Sequence, residues 1–156
     1  MKKRFAFALT MLLIAGAVYY SYRQGNKKPP EEPESAIWRL LESSRGGDVQ
    51  GYLECFTGKT RTQLEATVRE MTPAKFAGYL RETSGVIKGV AVYDVQRTGE
   101  GAAGLVVEYV YQDQNEKQRM SLTFESGLWR ILSAGVSQRI QPLIPYGKPV
   151  AEAENQ

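Results

Sequence analysis

At Ser84-Gly85 the spacing of apolar residues changes from a helical period to a strand period. Before that point apolar side chains recur every three or four residues, which lines one face of a helix. After it they alternate, which lines one face of a strand. A chain with its helical stripes first and its strands afterwards cannot build a parallel βαβ sheet. It predicts an α+β domain, with helices gathered on one face of an antiparallel sheet.

The first stripe follows Pro33 and comprises Ile37, Leu40, Leu41 and Ser44, with Trp38 beside it as a core-edge or interface residue; Gly46-Gly47 ends it. Asp48 is a good N-cap for a second helix carrying Val49, Tyr52, Leu53 and Phe56, closed by Gly58. A third pattern runs from about Thr62 through Leu64, Val68 and Met71. Thr72-Pro73 then restarts the chain as N-cap and first helical residue, leading to Phe76, Tyr79, Leu80 and Thr83.

In the second half, Ile87, Ala91, Tyr93 and Val95 alternate with Lys88, Val90, Val92 and Asp94. "TGEGAAG" is a turn or wide loop; it lacks the strand-to-helix context of a phosphate-binding loop. The next strand sets Leu105, Val107, Tyr109 and Tyr111 against Val106, Glu108 and Val110. After the polar "DQNE" turn, Met120, Leu122 and Phe124 point inward, with Arg119, Ser121, Thr123 and Glu125 outward. Ser126-Gly127 turns the chain into "LWRILSAGV", where Trp129 and Ile131 share a face.

Three features together resemble the nuclear transport factor 2-like superfamily, the cystatin-like α+β cone: the "GGDVQGYLECF" helix junction, three helices followed by a four-stranded meander, and the closing "GLWRIL" strand. The resemblance covers about Pro33 to Ser137. It implies three helices packed on a curved four-stranded antiparallel sheet, cone-shaped, with a pocket between helices and sheet. Enzymes of the superfamily place an acidic base and a hydrogen-bond donor in that pocket; other members are adaptors or non-catalytic domains of membrane-bound bacterial proteins. The outer sheet face often carries dimer contacts in this superfamily, so the resemblance also implies a homodimer.

The chain has no histidine and one cysteine, Cys55. No intrachain disulfide can form, and the commonest zinc ligand and the His-based nucleophile arrangements are missing. No metal or cofactor is expected. Carboxylates remain as candidates for catalysis: Asp94 or Glu108, paired with Tyr52 or Tyr79. Both carboxylates lie opposite the aromatic series Tyr93, Tyr109 and Tyr111, as solvated strand residues do, so no catalytic residue is assigned. Tyr52, Phe56, Phe76, Tyr79 and Trp129 are the candidate pocket lining, although aromatics at helical spacing are more often plain core. Cys55 is expected to be a buried thiol.

Charge is divided unevenly. Residues 1–32 hold Lys2, Lys3, Arg4, Arg23, Lys27 and Lys28 against Glu31 and Glu32, leaving 14 basic and 15 acidic residues in the rest of the chain. The domain itself is nearly neutral and has no basic cluster, which excludes nucleic acid as a partner.

The basic residues flank an uncharged run from Phe5 to Tyr22. As a helix this run spans ~27 Å, close to the ~30 Å hydrocarbon core. Tyr19, Tyr20 and Tyr22, followed by Arg23, suit the membrane interface. The preferred reading is a single-pass anchor in the cell membrane; the alternative is a signal peptide cut near Ala17, which gives a secreted domain. Both put the domain on the extracytoplasmic side. The expected organisation is a basic N-terminus (1–4), an anchor (5–22), a linker too polar to pack (23–34), the domain (35–140) and a Pro-rich tail (141–156).

The expected role is that of a non-catalytic binding domain, with the lipid bilayer as one partner and a protein or small apolar ligand as the other. Two alternatives stand beside it: a polyketide cyclase- or ketosteroid isomerase-like enzyme, and a subunit of an envelope or secretion complex.

Overall fold

The computed structural model describes residues 31–141. The expected anchor, the cleavage site and the tail beyond 141 lie outside the described residues. Among those described, no helix is long and apolar enough to cross a membrane.

Helix α1 (Ser35–Gly46) buries Ala36, Ile37, Leu40, Leu41 and Ser44 and leaves Trp38 exposed. It ends because Gly47 adopts φ 66°, a left-handed conformation in which its N–H bonds back to the carbonyls of Ser43 and Ser44. Asp48 caps α2 (Val49–Glu54) by accepting the Gly51 N–H at 3.0 Å. Helices α3 (Gly58–Met71) and α4 (Pro73–Gly85) follow.

The helices differ from expectation in two respects. Among the described residues there are four helices where three were expected, because Pro73 cannot continue the α3 hydrogen-bond ladder and Thr72 takes φ 72°, ψ 146°, outside any helix. Gly58 opens α3 at φ 59° and does not close α2. Between them the chain runs beside a strand: the Ile131 N–H donates to Cys55 O at 2.7 Å, and the Thr57 N–H donates to Ile131 O at 3.0 Å.

The sheet is an antiparallel meander β1-β2-β3-β4, formed by β1 (Gly89–Gly99), β2 (Ala102–Val110), β3 (Asn115–Glu125) and β4 (Leu128–Ala134). A short fifth strand, β5 (Gln138–Ile140), was not anticipated; it pairs with β3 at Asn115–Lys117, past the point where β4 leaves off. Of three irregularities in the ladders of the described residues, one sets Thr98 between the partners of Ala103 and Ala102 near the end of β1, and two bend the strands further in. One lies between Tyr93 and Gln96, where Asp94 adopts φ 54°. The other inserts Leu132 between the partners of Ser121 and Leu122.

The first bulge changes which residues of β1 face inward. Val90 and Val92 pack on the core before it and Val95 packs on the core after it. Strict alternation in the sequence groups Val95 with Tyr93 and separates it from Val90 and Val92. One extra residue at Asp94 shifts a period of two by one position. Tyr93 therefore faces outward with Glu108, its hydroxyl donating to that carboxylate at 3.2 Å.

The main core joins Ile37, Leu40 and Leu41 of α1 to Leu105 and Val107 of β2, Met120 and Leu122 of β3, and Trp129 and Ile131 of β4. Each such fully buried aliphatic side chain stabilises the fold by about 1.5–3 kcal/mol. Leu53, Val68, Phe76 and Leu80 form a second cluster among the helices, and Tyr52 packs against both. Phe124, expected inward, is 39% exposed at the strand end and rests on Trp129 at 5.3 Å between ring centroids.

The segment expected as linker also joins the fold before residue 35. Pro33 is fully buried, and Glu32 forms an ion pair with Arg97 of β1. Proline is apolar enough to pack once a helix start fixes its position, which composition alone did not reveal.

Candidate functional site

A cavity of about 350 Å³ opens between α1, α2 and α4 and the inner sheet face. Leu40 and Leu41 of α1, Leu80 of α4 and Ile87 supply its apolar wall. Four tyrosines surround it: Tyr52 from α2, Tyr79 from α4, Tyr109 near the end of β2, and Tyr111 just beyond. Ser44, Thr83, Ser84 and Gln118 complete the lining. None of these residues is an acid or a base other than the phenols themselves.

The three aliphatic hydroxyls have committed their hydrogens, and Gln118 one of its two. Ser44 Oγ donates to Leu40 O at 2.7 Å, and Ser84 Oγ to Arg81 O at 3.2 Å. Thr83 Oγ1 donates to Tyr79 O at 2.8 Å. Gln118 Nε2 donates to Gly135 O at 2.7 Å, holding the turn between β4 and β5. The tyrosine hydroxyls have no such bond among the described residues. With the second amide hydrogen of Gln118 they are the lining's unspent donors.

Burial, together with the nearby Tyr79 and Cys55, pushes the Tyr52 phenol up to about 12. Burial and the neighbouring Tyr52 and Tyr111 push Tyr109 up to about 12 as well. Tyr111 is raised by burial and by Glu116. All three stay protonated at neutral pH and can donate.

The five residues nominated from sequence divide. Tyr52 and Tyr79 line the cavity. Phe56 and Phe76 stand behind it, buried, in an aromatic series: Phe56–Tyr52 at 5.2 Å, Tyr52–Phe76 at 5.8 Å and Phe76–Tyr79 at 6.1 Å. Their role is to hold Tyr52 and Tyr79 in place.

Trp129 is not part of the lining. It packs opposite Phe124 in the β3–β4 register, six residues along β3 from Gln118, or ~20 Å. The Arg97 guanidinium lies 5.9 Å from its ring centroid, and Arg39 Nη2 donates to its carbonyl at 2.6 Å.

Tyr109 and Tyr111 were missed as site residues, although a signal existed. They continue the inward series Leu105, Val107, and an inward tyrosine needs somewhere to put its hydroxyl.

The two carboxylates considered for catalysis lie on the other face of the sheet. Glu108 accepts from Asn115 Nδ2 at 2.6 Å and from the Tyr93 hydroxyl. Asp94 accepts from Arg119 Nη2 at 2.7 Å and from Gln96 Nε2 at 2.8 Å, and these bonds hold its carboxyl below the usual carboxylate range. With Lys117 over the Tyr93 ring at 5.3 Å, they form a polar lattice that covers Val106.

Cys55 is buried and donates to Gly51 O at 3.3 Å; burial raises its pKa despite the opposing pull of Arg39. Among the described residues no group of acids and cysteine is arranged to hold a metal.

No family model and no curated protein matches the chain. Among solved structures it is similar to a domain of unknown function with a cystatin-like fold from Nostoc punctiforme, at 12% identity and a TM-score of 0.42, covering 70% of this chain and 76% of that one. It is also similar to a protein of unknown function from Pectobacterium atrosepticum, at 13% identity and a TM-score of 0.42, covering 69% and 87%.

Proposed function

We propose that this chain is a membrane-anchored, extracytoplasmic binding protein whose folded domain takes a small, largely apolar ligand and carries out no reaction on it. One observation carries the reading: the cavity is lined by tyrosines and aliphatic side chains, while Asp94 and Glu108 are committed on the opposite sheet face. A base that must abstract a proton has to reach the bound molecule, and here the sheet itself stands between them. At about 350 Å³ the cavity is at the small end of ligand sites. The run from Phe5 to Tyr22 acts as the anchor.

The test has two arms. Intact mass of the mature chain from membrane and soluble fractions reads the anchor: a membrane-borne chain that retains residues 1–22 supports it, and a soluble chain cut near Ala17 removes it. Titration of the full chain in detergent with 2-ethylnaphthalene reads the cavity. Saturable one-to-one binding that Thr83→Trp abolishes supports the site, because Thr83 is exposed at the cavity wall and a large ring there fills it at little cost to folding. Binding that survives Thr83→Trp places the ligand elsewhere.

A further inference from the structure

The donor census of the cavity restricts what can occupy it. Ser44, Thr83 and Ser84 have given their hydroxyl hydrogens to backbone carbonyls, and Gln118 has given one of its two amide hydrogens. The hydroxyls of Tyr52, Tyr79, Tyr109 and Tyr111 have not, and Tyr52 and Tyr109 reach in from opposite layers, one on a helix and one on the sheet. A ligand that is only hydrocarbon would leave these donors facing it unbonded, at a cost in desolvation. An anion would find donors but no positive charge in the lining. A cation would find no carboxylate, and the faces of the tyrosine rings, at about 0.5–1 kcal/mol each, would offset only part of the several kcal/mol needed to strip its water.

Resting on the binding reading above, we infer that the cavity selects an uncharged ligand carrying a hydrogen-bond acceptor, such as a carbonyl, ether or hydroxyl oxygen, on an apolar body, and rejects charged molecules of the same shape. The acceptor sits between the Tyr52 and Tyr109 hydroxyls and the body lies against Leu40, Leu41, Leu80 and Ile87. Both phenols remain protonated well above neutrality because they are buried, so this preference is insensitive to pH across the physiological range.

Four probes of one shape separate the terms: 2-acetylnaphthalene (neutral acceptor), 2-ethylnaphthalene (no acceptor), 2-naphthoate (anion) and 2-naphthylmethylammonium (cation). Each is titrated into the full chain in detergent, followed by calorimetry. The expected result is that the ketone binds about tenfold tighter than the hydrocarbon, the gain of one to two hydrogen bonds. Both ions should bind more weakly than the hydrocarbon. Tyr52→Phe and Tyr109→Phe keep the rings and remove one donor each. Each should reduce the preference for the ketone several-fold and leave hydrocarbon binding unchanged.

Equal binding of ketone and hydrocarbon overturns the inference and leaves the cavity reading standing. Binding of either ion as tight as the ketone also overturns it. No saturable binding of any probe overturns the cavity reading itself. Matching thermal melts of wild-type and Phe variants identify a lost preference as a lost donor.

Discussion

Replacing Gly47 by alanine tests how the helix junction holds the cavity wall. The residue adopts φ 66°, and a Cβ built there would lie 2.2 Å from Arg81 Nη1 and 3.0 Å from Ala77 O. A left-handed conformation costs a residue with a Cβ about 1–2 kcal/mol. The guanidinium can swing aside, but it then gives up its hydrogen bond to Gly46 O, now 3.0 Å, for about 0.5–1.5 kcal/mol. The backbone oxygen of Ala77 cannot swing, so α4 must yield slightly. The sum is a loss of about 1.5–3.5 kcal/mol.

The adjacent Gly46 is the control. A Cβ there meets nothing within 4 Å and the residue is helical, so Gly46→Ala is expected to be neutral or stabilising. Urea unfolding of the full chain in detergent, followed by Trp129 emission, reads both, since Trp129 is buried whereas Trp38 is already half exposed. Arg81→Ala alone should cost about 1 kcal/mol, and almost nothing when Gly47→Ala has already displaced the guanidinium. A loss below about 0.5 kcal/mol for Gly47→Ala, or two losses that simply add, would refute this account of the junction. Because α2 starts two residues later and carries Tyr52, the same variant should also weaken probe binding.

Three further outcomes are expected. Tyr52 and Tyr109 are raised to about 12 from an unfolded value of 10.0, so their neutral forms favour the native state. Stability should hold below pH 10 and fall between pH 10 and 12 as the unfolded chain ionises first, and tyrosinate absorbance should show a late-titrating class that Tyr52→Phe and Tyr109→Phe each reduce. Thr72→Gly should stabilise the domain by about 1 kcal/mol in urea unfolding, because φ 72°, ψ 146° lies in territory that only glycine occupies freely; a loss would show that the threonine side chain matters more than its backbone strain. Cys55 should resist iodoacetamide in the native chain and react once urea unfolds it, since its thiol is buried and its pKa raised by that burial; rapid native alkylation would refute this.

Much of the architecture was legible because its causes are local. The stripe Ile37, Leu40, Leu41, Ser44 is buried as read, Gly47 ends α1, and Asp48 caps α2. Inward Leu105, Val107, Met120, Leu122, Trp129 and Ile131 follow from alternation alone. Each of these depends on bond geometry or on the pitch of one element, and a few neighbouring residues suffice to encode it.

The site was legible only in part. Tyr52 and Tyr79 sit at helical spacing, but so do Phe56 and Phe76, and nothing local tells a ring that lines a cavity from one that backs it. That distinction depends on how close the sheet comes to each helix, which is decided where the Tyr109 and Tyr111 end of the meander meets α4. Likewise the turn of Tyr93 toward Glu108 depends on a bulge at Asp94, an aspartate whose φ of 54° is held by pairing across β1, β2 and β3. Sequence alone determined the kinds of element, their order and most of their buried faces, because a chain's period and its breakers act over one or two turns. Tertiary structure decided where a bulge changes the phase, that Pro33 is covered, and which tyrosines converge, because those depend on contacts between residues distant in the chain.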